Sequence, residues 1–241
     1  VVVALNYYTP YQHISDSNTG KVSRYAWGDD YHHVLGDKLR SLLAWIQEQS
    51  PDATSKVCVD IQPAMDKAWA VRAGLGWLGK HSNVITPEFG SWVFIGELLL
   101  NIELDYDVDE IEDHCGTCTL CIEACPTNAI TEPYIVDSNK CISYGTIELR
   151  DHELPNEMAN NLSGWFYGCD ICQDVCPWNR FQQVTNEDRF RPREGNVDTN
   201  LDEVLQLTSQ TYAERYRGSA MKRAKLFGLQ RNARALTSDK L

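Results

Sequence analysis

The feature that most constrains this chain is the cysteine pattern in its middle. Eight of its nine cysteines fall between residues 115 and 176. Cys115, Cys118, Cys121 and Cys125 follow the spacing C-x2-C-x2-C-x3-C, and Pro126 comes directly after. Cys169, Cys172 and Cys176 repeat the tail of that pattern, again closed by a proline, Pro177, and Cys141 can supply the missing member. Two-residue gaps let three thiolates of one tight loop converge on neighbouring irons of a cube. The Cys-Pro step then turns the fourth thiolate elsewhere, and in two-cluster folds that fourth cysteine serves the other cluster. The spacing therefore predicts two [4Fe–4S] clusters. One takes Cys115, Cys118, Cys121 and Cys176; the other takes Cys125, Cys141, Cys169 and Cys172. Zinc accepts sets of four cysteines, but three-residue gaps closed by proline are not its usual spacing. Disulfides suit small secreted scaffolds, and nothing in the sequence points to secretion. Cys58 is left over and reads as a buried apolar thiol.

Clusters of this kind move electrons singly and do no organic chemistry themselves, so the rest of the chain decides between carrier and enzyme. Residues 1–110 hold Cys58 alone and are rich in aromatics, 111–180 hold the other eight cysteines, and 181–241 turn polar and then basic. A plain carrier needs no aromatic-rich unit of that size; an enzyme does. Within it, residues 1–5 read as a buried strand. Tyr31, Val34, Leu35, Leu39, Leu42, Leu43 and Ile46 recur at helical spacing over 30–48, and Ser50-Pro51 stops the helix. Residues 56–59 and 91–101 read as strands, and 63–73 as a helix begun by its proline. Gly74, Gly76 and Gly79 open a loop that ends Lys80-His81-Ser82-Asn83. This alternation belongs to an α/β or α+β fold. Short helices follow from Leu201 and over 221–236.

The net charge of −12 argues against a surface coated by nucleic acid. Its distribution is uneven: residues 211–241 carry eight Lys or Arg against Glu214 and Asp239, a local +6 that leaves −18 elsewhere. That stretch is either a solvated helix face or a phosphate-contacting patch. No apolar run approaches the roughly 20 residues of a membrane span, and residues 1–5 lack the features of a signal peptide. A cytoplasmic protein without a membrane partner is expected. The chain starts without Met, so a preceding segment is expected to be missing.

Longer motifs join these pieces. Arg24-Tyr25-Ala26-x-Gly28-x-Asp30-Tyr31-His32 is followed by Val59-Asp60-x-x-Pro63 and by the run from Arg72 through Lys80-His81-Ser82. Then come Gly90-Ser91-Trp92, Cys141-Ile142-Ser143-Tyr144-x-Thr146-Ile147-Glu148, and Gly168 through Cys176-Pro177-Trp178-Asn179. Their order resembles that of the epoxyqueuosine reductase family over nearly the whole chain. The resemblance implies an α+β fold in three parts: a nitroreductase-like cobalamin-binding domain (1–110), a two-cluster ferredoxin-like domain (111–180), and a short helical, basic C-terminal segment (181–241). It also implies a shortened N-terminus and C-terminal helical repeats that stop early. The implied activity reduces epoxyqueuosine to queuosine at the wobble position of tRNA anticodons, with electrons passing from the clusters to cobalamin. The implied partners are the tRNA anticodon stem-loop and an external electron donor, and a monomer is expected.

On the same resemblance, Asp60 is the catalytic aspartate and donates a proton to the departing oxygen. That role calls for a carboxyl pKa raised by an apolar, desolvated site, with which Val59 and Ile61 are compatible. The other reading of Asp60 is a helix N-cap, and the two can coexist. For cobalamin the candidates are Tyr25, Lys80, His81, Ser82, Asn83, Ser143, Tyr144 and Thr146, beside glycines that permit close approach of a flat ligand. His32 and His33 read as surface or core histidines, and no protein histidine is expected beneath the cobalt. Trp27, Trp69 and Trp77 read as core. Arg215, Arg217, Lys222, Arg223, Lys225, Arg231 and Arg234 are the candidate phosphate contacts. A corrinoid reductive dehalogenase is the rival enzyme and predicts a twin-arginine export signal. A non-enzymatic two-cluster electron carrier is the other rival and predicts no uptake of cobalamin.

Overall fold

The apolar run ending at Leu100 becomes the middle strand of a sheet. The structure is a computed structural model that describes residues 1–14, 16, 18–107 and 111–238. The expected domain boundary at 110, and Asp239 and Lys240 of the basic stretch, lie outside the described residues. In chain order the first half contains β1 (Val2–Asn6), β2 (Thr19–Val22), α1 (Tyr31–Gln49), β3 (Ser55–Cys58), α2 (Asp66–Arg72), β4 (Trp77–Leu78), β5 (Val84–Ile85) and β6 (Val93–Leu100). The cysteine-rich part adds α3 (Leu120–Glu123), β7 (Ile130–Glu132), β8 (Ile135–Val136), α4 (Ile142–Ile147), α5 (Asn156–Ala159), β9 (Trp165–Tyr167) and α6 (Ile171–Asp174). The remainder gives β10 (Asp198–Asn200), α7 (Leu201–Leu205), α8 (Ser209–Arg215) and α9 (Lys225–Ser238). The class is α+β, as expected.

β6 lies between β1 and β3, antiparallel to both, with Val2 and Cys58 both opposite Glu97. Alternation along the strand sends neighbouring residues to opposite faces. Gly96 faces α1, where a Cβ would fall 2.9 Å from Leu35 and from Leu39; glycine is what lets helix and sheet close up. Glu97 therefore faces the other side, toward α2. Tyr7, Tyr8, Leu35, Leu39, Trp92, Phe94, Leu98 and Phe190 form the core here, each large buried side chain contributing about 1.5–3 kcal/mol.

A second sheet, in the order β10-β2-β9, takes one strand from each compositional segment. β2 pairs parallel with β9 and antiparallel with β10. Its core runs through Val22, Trp27, Phe166, Tyr167, Leu201, Met221 and Leu229, so the three segments are packed through a common interior. Two local expectations change. The helix expected from Pro63 starts at Asp66, because residues 60–65 are drawn into a tight turn: Gln62 Oε1 accepts the Val59 N–H at 2.8 Å, and Asp66 Oδ2 accepts the Asp60 N–H at 3.1 Å. Trp27 and Trp77 are core as expected, but Trp69 is 46% exposed. Among the described residues no helix is long and apolar enough to cross a membrane.

Candidate functional site

The clustered cysteines lie close together in the structure. Cys115, Cys118, Cys121 and Cys176 line one cavity of about 150 Å³, together with Lys80, His81 and Trp178. Burial pushes the Cys121 thiol up to about 11, and Cys176, Cys115 and Cys118 add to the rise. Burial likewise raises Cys172, with Cys141, Asp170, Cys121 and Cys125 adding, and it raises Cys169, with Cys172, Asp170 and Cys141 adding. Cys172 also feels the charge of Cys121 from the first group, so the two groups of thiols lie near each other. All nine cysteines are free thiols. Among the described residues, no group of three or more His, Cys, Asp or Glu forms a site for a single metal ion. The cavity of about 150 Å³ that the first set lines is roomier than a single ion needs, which suits a cluster.

The wall around the thiols carries donors aimed at sulfur. The Ala129 N–H donates to Cys125 Sγ at 3.2 Å. Burial alone would raise that thiol; the Ala129 N–H and the Thr127 hydroxyl hold it below its ordinary value instead. His81 is 4% exposed, and its Nδ1 accepts the Asn83 N–H at 3.2 Å. That bond puts the ring proton on Nε2, which is buried and lacks a partner among the described residues, as does the Trp77 indole N–H. Burial raises Cys115, while the Lys80 backbone and the Trp77 side chain draw it part of the way back. Buried N–H groups awaiting acceptors beside four thiols are what iron–sulfur cubes require. The residues fit the group.

Three of the residues expected to touch cobalamin are committed elsewhere, and this corrects the sequence reading. Lys80 Nζ donates to the carbonyls of Gly116 (2.6 Å) and Cys118 (2.9 Å), so its charge holds the first cysteine loop. His81 belongs to the same wall. Thr146 is fully buried; its hydroxyl donates to the Ile142 carbonyl and accepts the Gly168 N–H at 3.0 Å. Ser82, Asn83, Ser143 and Tyr144 keep partial or full exposure, as does Tyr25, whose hydroxyl donates to that of Tyr167 at 3.1 Å.

Asp60 sits where the chain turns between β3 and α2, in the left-handed region at φ 59°. Its carboxylate accepts the Tyr31 hydroxyl at 2.5 Å and stands 3.6 Å from His32 Nε2. The ring of His32 also meets Asp30 at 2.6 Å and stacks on Tyr31 at 4.0 Å. Tyr31 in turn stacks on Phe94 at 4.3 Å, which fixes its hydroxyl. The nearby His32 ring holds the Asp60 carboxyl below the usual range; burial opposes this and the Tyr31 hydrogen bond assists it. Burial would discharge His32, but Asp30 and Asp60 raise it to about 9. The expected raised, desolvated acid is therefore reversed. Asp60 has 63% of its side chain exposed and is an anion, and the proton resides on His32. Sequence reasoning set His32 aside and missed Tyr31; their place in the Arg24–His32 motif was the available signal.

Lys67 lies beside this group. Its ammonium donates to the Ser82 carbonyl at 2.7 Å and feels the charges of Asp60, Cys172 and Cys141, while burial lowers its pKa. Cys172 and Cys141 thus face the Asp60 side of the molecule. Ile61 (72% exposed), Met65, Trp69 and Tyr144 present apolar surface around the same region. The exposed apolar side chains Ile61, Met65 and Trp69, with the hydroxyl of Ser82 and the amide of Asn83, suit the face and the amide edge of a large, flat ligand.

The basic segment divides. Arg231 is buried and donates to the carbonyls of Gly145, Leu149 and Asp151 at 2.6–3.1 Å, so it is a strut and not a phosphate contact. Arg223 grips Glu148 at 2.7 Å, and Arg215 pairs with Glu203 at 3.1 Å. Arg217, Lys222, Lys225 and Arg234 are exposed, and Arg223 lies within electrostatic reach of Asp60.

Comparison with known proteins agrees with this geometry. Residues 1–61 match the family described as "Epoxyqueuosine reductase QueG, DUF1730", and residues 114–179 match the "4Fe-4S double cluster binding domain". The epoxyqueuosine reductase of Synechocystis sp. is 52% identical over 236 residues, 98% of this chain and 81% of that one. That of Atelocyanobacterium thalassa is 49% identical over 98% of this chain and 76% of its own length. A crystal structure of epoxyqueuosine reductase with a tRNA-Tyr epoxyqueuosine-modified stem loop superposes with a TM-score of 0.90 at 32% identity, covering 98% of this chain. The Bacillus subtilis enzyme, solved with a catalytic loop named for an aspartate swung out of the active site, gives 0.88 at 31% identity over 98% of this chain. The chain spans 63% of the length of each of these solved chains.

Proposed function

This chain belongs to the epoxyqueuosine reductase family, and from that premise we propose that it reduces epoxyqueuosine to queuosine in the anticodon loop of tRNA. The observation that carries the reading is the Tyr31–His32–Asp60 group beside a wall of cluster-forming thiols. An electron carrier has no use for an imidazolium held beside a solvent-exposed carboxylate.

Converting an epoxide to an alkene breaks two C–O bonds and releases the oxygen as water, which takes two electrons and two protons. The two clusters and a cobalamin, when bound, supply those electrons. Cys115, Cys118, Cys121 and Cys176 would hold the first cluster, and Cys125, Cys141, Cys169 and Cys172 the second. Tyr25, Ser82, Asn83, Ser143 and Tyr144 would hold the cobalamin in the nitroreductase-like part, above the apolar surface of Ile61, Met65 and Trp69. The chain's own task is the first of the two protons, and solvent supplies the second. His32 stores that first proton at neutral pH, Tyr31 orients the Asp60 carboxylate, and Asp60 passes the proton to the departing oxygen. This assignment keeps Asp60 as the catalytic residue and makes it a relay instead of the resident acid. A flipped-out base would reach it from its solvent-exposed side. Arg217, Lys222, Lys225 and Arg234 would meet the phosphates of the stem, and an external reductant would refill the clusters. A tRNA substrate implies a cytoplasmic location.

The test is anaerobic reconstitution with iron, sulfide and cobalamin, followed by mass analysis of nucleosides from epoxyqueuosine-containing tRNA. Queuosine should appear only with cobalamin and a reductant present. Cluster absorbance with no corrinoid uptake and no queuosine would return the protein to the class of electron carriers.

A further inference from the structure

Three carboxylate oxygens are buried beneath the Asp60 loop with no donor to satisfy them. Glu97 lies in the middle of β6 and is 1% exposed; neither Oε1 nor Oε2 has a hydrogen-bond partner among the described residues. Asp66 opens α2, and its Oδ1 is likewise buried and unpartnered. Its other oxygen, Oδ2, accepts the backbone N–H of Asp60. Two ionised carboxylates side by side and out of water repel, and each loses its hydration. One shared proton cures both faults: Glu97 becomes a donor, and Asp66 stays an acceptor.

We propose that Glu97 and Asp66 share one proton, and that this acid pair is a positioning device that fastens the Asp60 loop. The proposal rests on the reading of Asp60 given above. Asp60 is a non-glycine residue at positive φ, a conformation that persists only where surroundings impose it. The Asp66 carboxylate imposes it through the Asp60 N–H, and Glu97 holds that carboxylate in place from below.

The groups facing Glu97 agree. Asp66 comes from α2, Cys58 stands opposite on β3 with Lys56 further along the same face, and Val2 of β1 stands opposite on the other side. α1 lies across the sheet, behind Gly96. Burial, then the charge of the neighbouring Asp66 carboxyl, raises Glu97 to about 7. The pair therefore keeps its proton below neutrality and loses it as pH rises through about 7, when the fastening weakens.

Hydrogen exchange of the 60–65 amides, corrected for intrinsic rates, at pH 6 and pH 8.5, reads this directly and needs no turnover. In the native protein, protection of the Asp60 amide should fall about tenfold at the higher pH, the weight of one hydrogen bond. Glu97→Gln keeps a neutral donor at every pH, so its protection should stay high and flat. Glu97→Leu should be poorly protected at both. In turnover, Glu97→Gln should flatten the decline of kcat above pH 7 and leave KM for tRNA unchanged. A Glu97→Gln profile with the native pH dependence, or native protection in Glu97→Leu, overturns the proposal. If Glu97→Leu fails to fold, the Glu97→Gln comparison decides alone. Native protein with the expected exchange pattern but no epoxide reduction would keep the acid pair and defeat the reading of Asp60.

Discussion

The two walls of the molecule solve opposite problems. Around the thiols most polar groups are tied into the protein: Lys80 closes the first cysteine loop, Thr146 holds Gly168, Arg231 braces α4, and the Ala129 N–H meets sulfur, which leaves the His81 and Trp77 ring N–H groups for the cavity. Around Asp60 the charges are left open, the backbone is strained, and apolar side chains face solvent. A site that moves electrons gains from rigidity, because reorganisation slows transfer. A site that moves protons into a large substrate must stay accessible. The contrast separates a preassembled half from a half completed by its ligands.

The contrast can be broken experimentally. The largest effect is expected for Cys172→Ser, which should abolish turnover and lower the iron content from about eight to about four per chain; full iron content would remove Cys172 from the ligand set. Next is Asp60→Asn, for which turnover should fall by about 10²–10⁴ while cluster absorbance and tRNA affinity hold. Unchanged queuosine formation would remove Asp60 from the chemistry.

His32→Gln should act more mildly and through pH. Since folding raises the His32 pKa from 6.5 to about 9, its charge stabilises the native state below the lower value, and that contribution is lost as pH rises through the upper one. Asp60, whose pKa is lowered, adds stability above its unfolded value and loses it on acidification. Native turnover should therefore keep an alkaline limb near pH 9 that Glu97→Gln does not remove. In His32→Gln that limb should be absent and kcat lower by about tenfold. The smallest effect is expected for His81→Phe. Losing one hydrogen bond to the first cluster should lower its one-electron potential by about 40 mV, seen in a redox titration followed by electron paramagnetic resonance. An unchanged potential would mean that the His81 Nε2 proton does not face the cluster.

Much of the electron-handling half was legible because its information is local. Cys115, Cys118 and Cys121 lie within seven consecutive residues, and a tight loop leaves them few ways to point. The Cys-Pro tail of the second motif likewise pointed to Cys176 beside the first three cysteines, where it lines their cavity. The proton-handling half was legible only in part. Asp60 stood out through its motif, but its proton state came out reversed, because Tyr31 and His32 reach it from α1 across 28–29 positions of chain. Pro63 suggested a helix start, and the Asp66 carboxylate placed the start three residues later by taking the Asp60 N–H. Arg231 read as part of a basic face, yet it is the one arginine of that stretch buried against α4. Glu97 fell inside the stretch read simply as a strand; its burial shows only once α2 packs over that face of the sheet.

Read alone, the chain determined its ligand chemistry: which eight thiols, in which two sets, and that a cluster-bearing part is joined to something larger. It did so because coordination spacing is a property of short loops, and short loops have few conformations. Tertiary structure decided which charges meet, which are buried, and where the proton rests. Those outcomes depend on desolvation and on contacts between distant elements, and neither is written in the order of neighbouring residues.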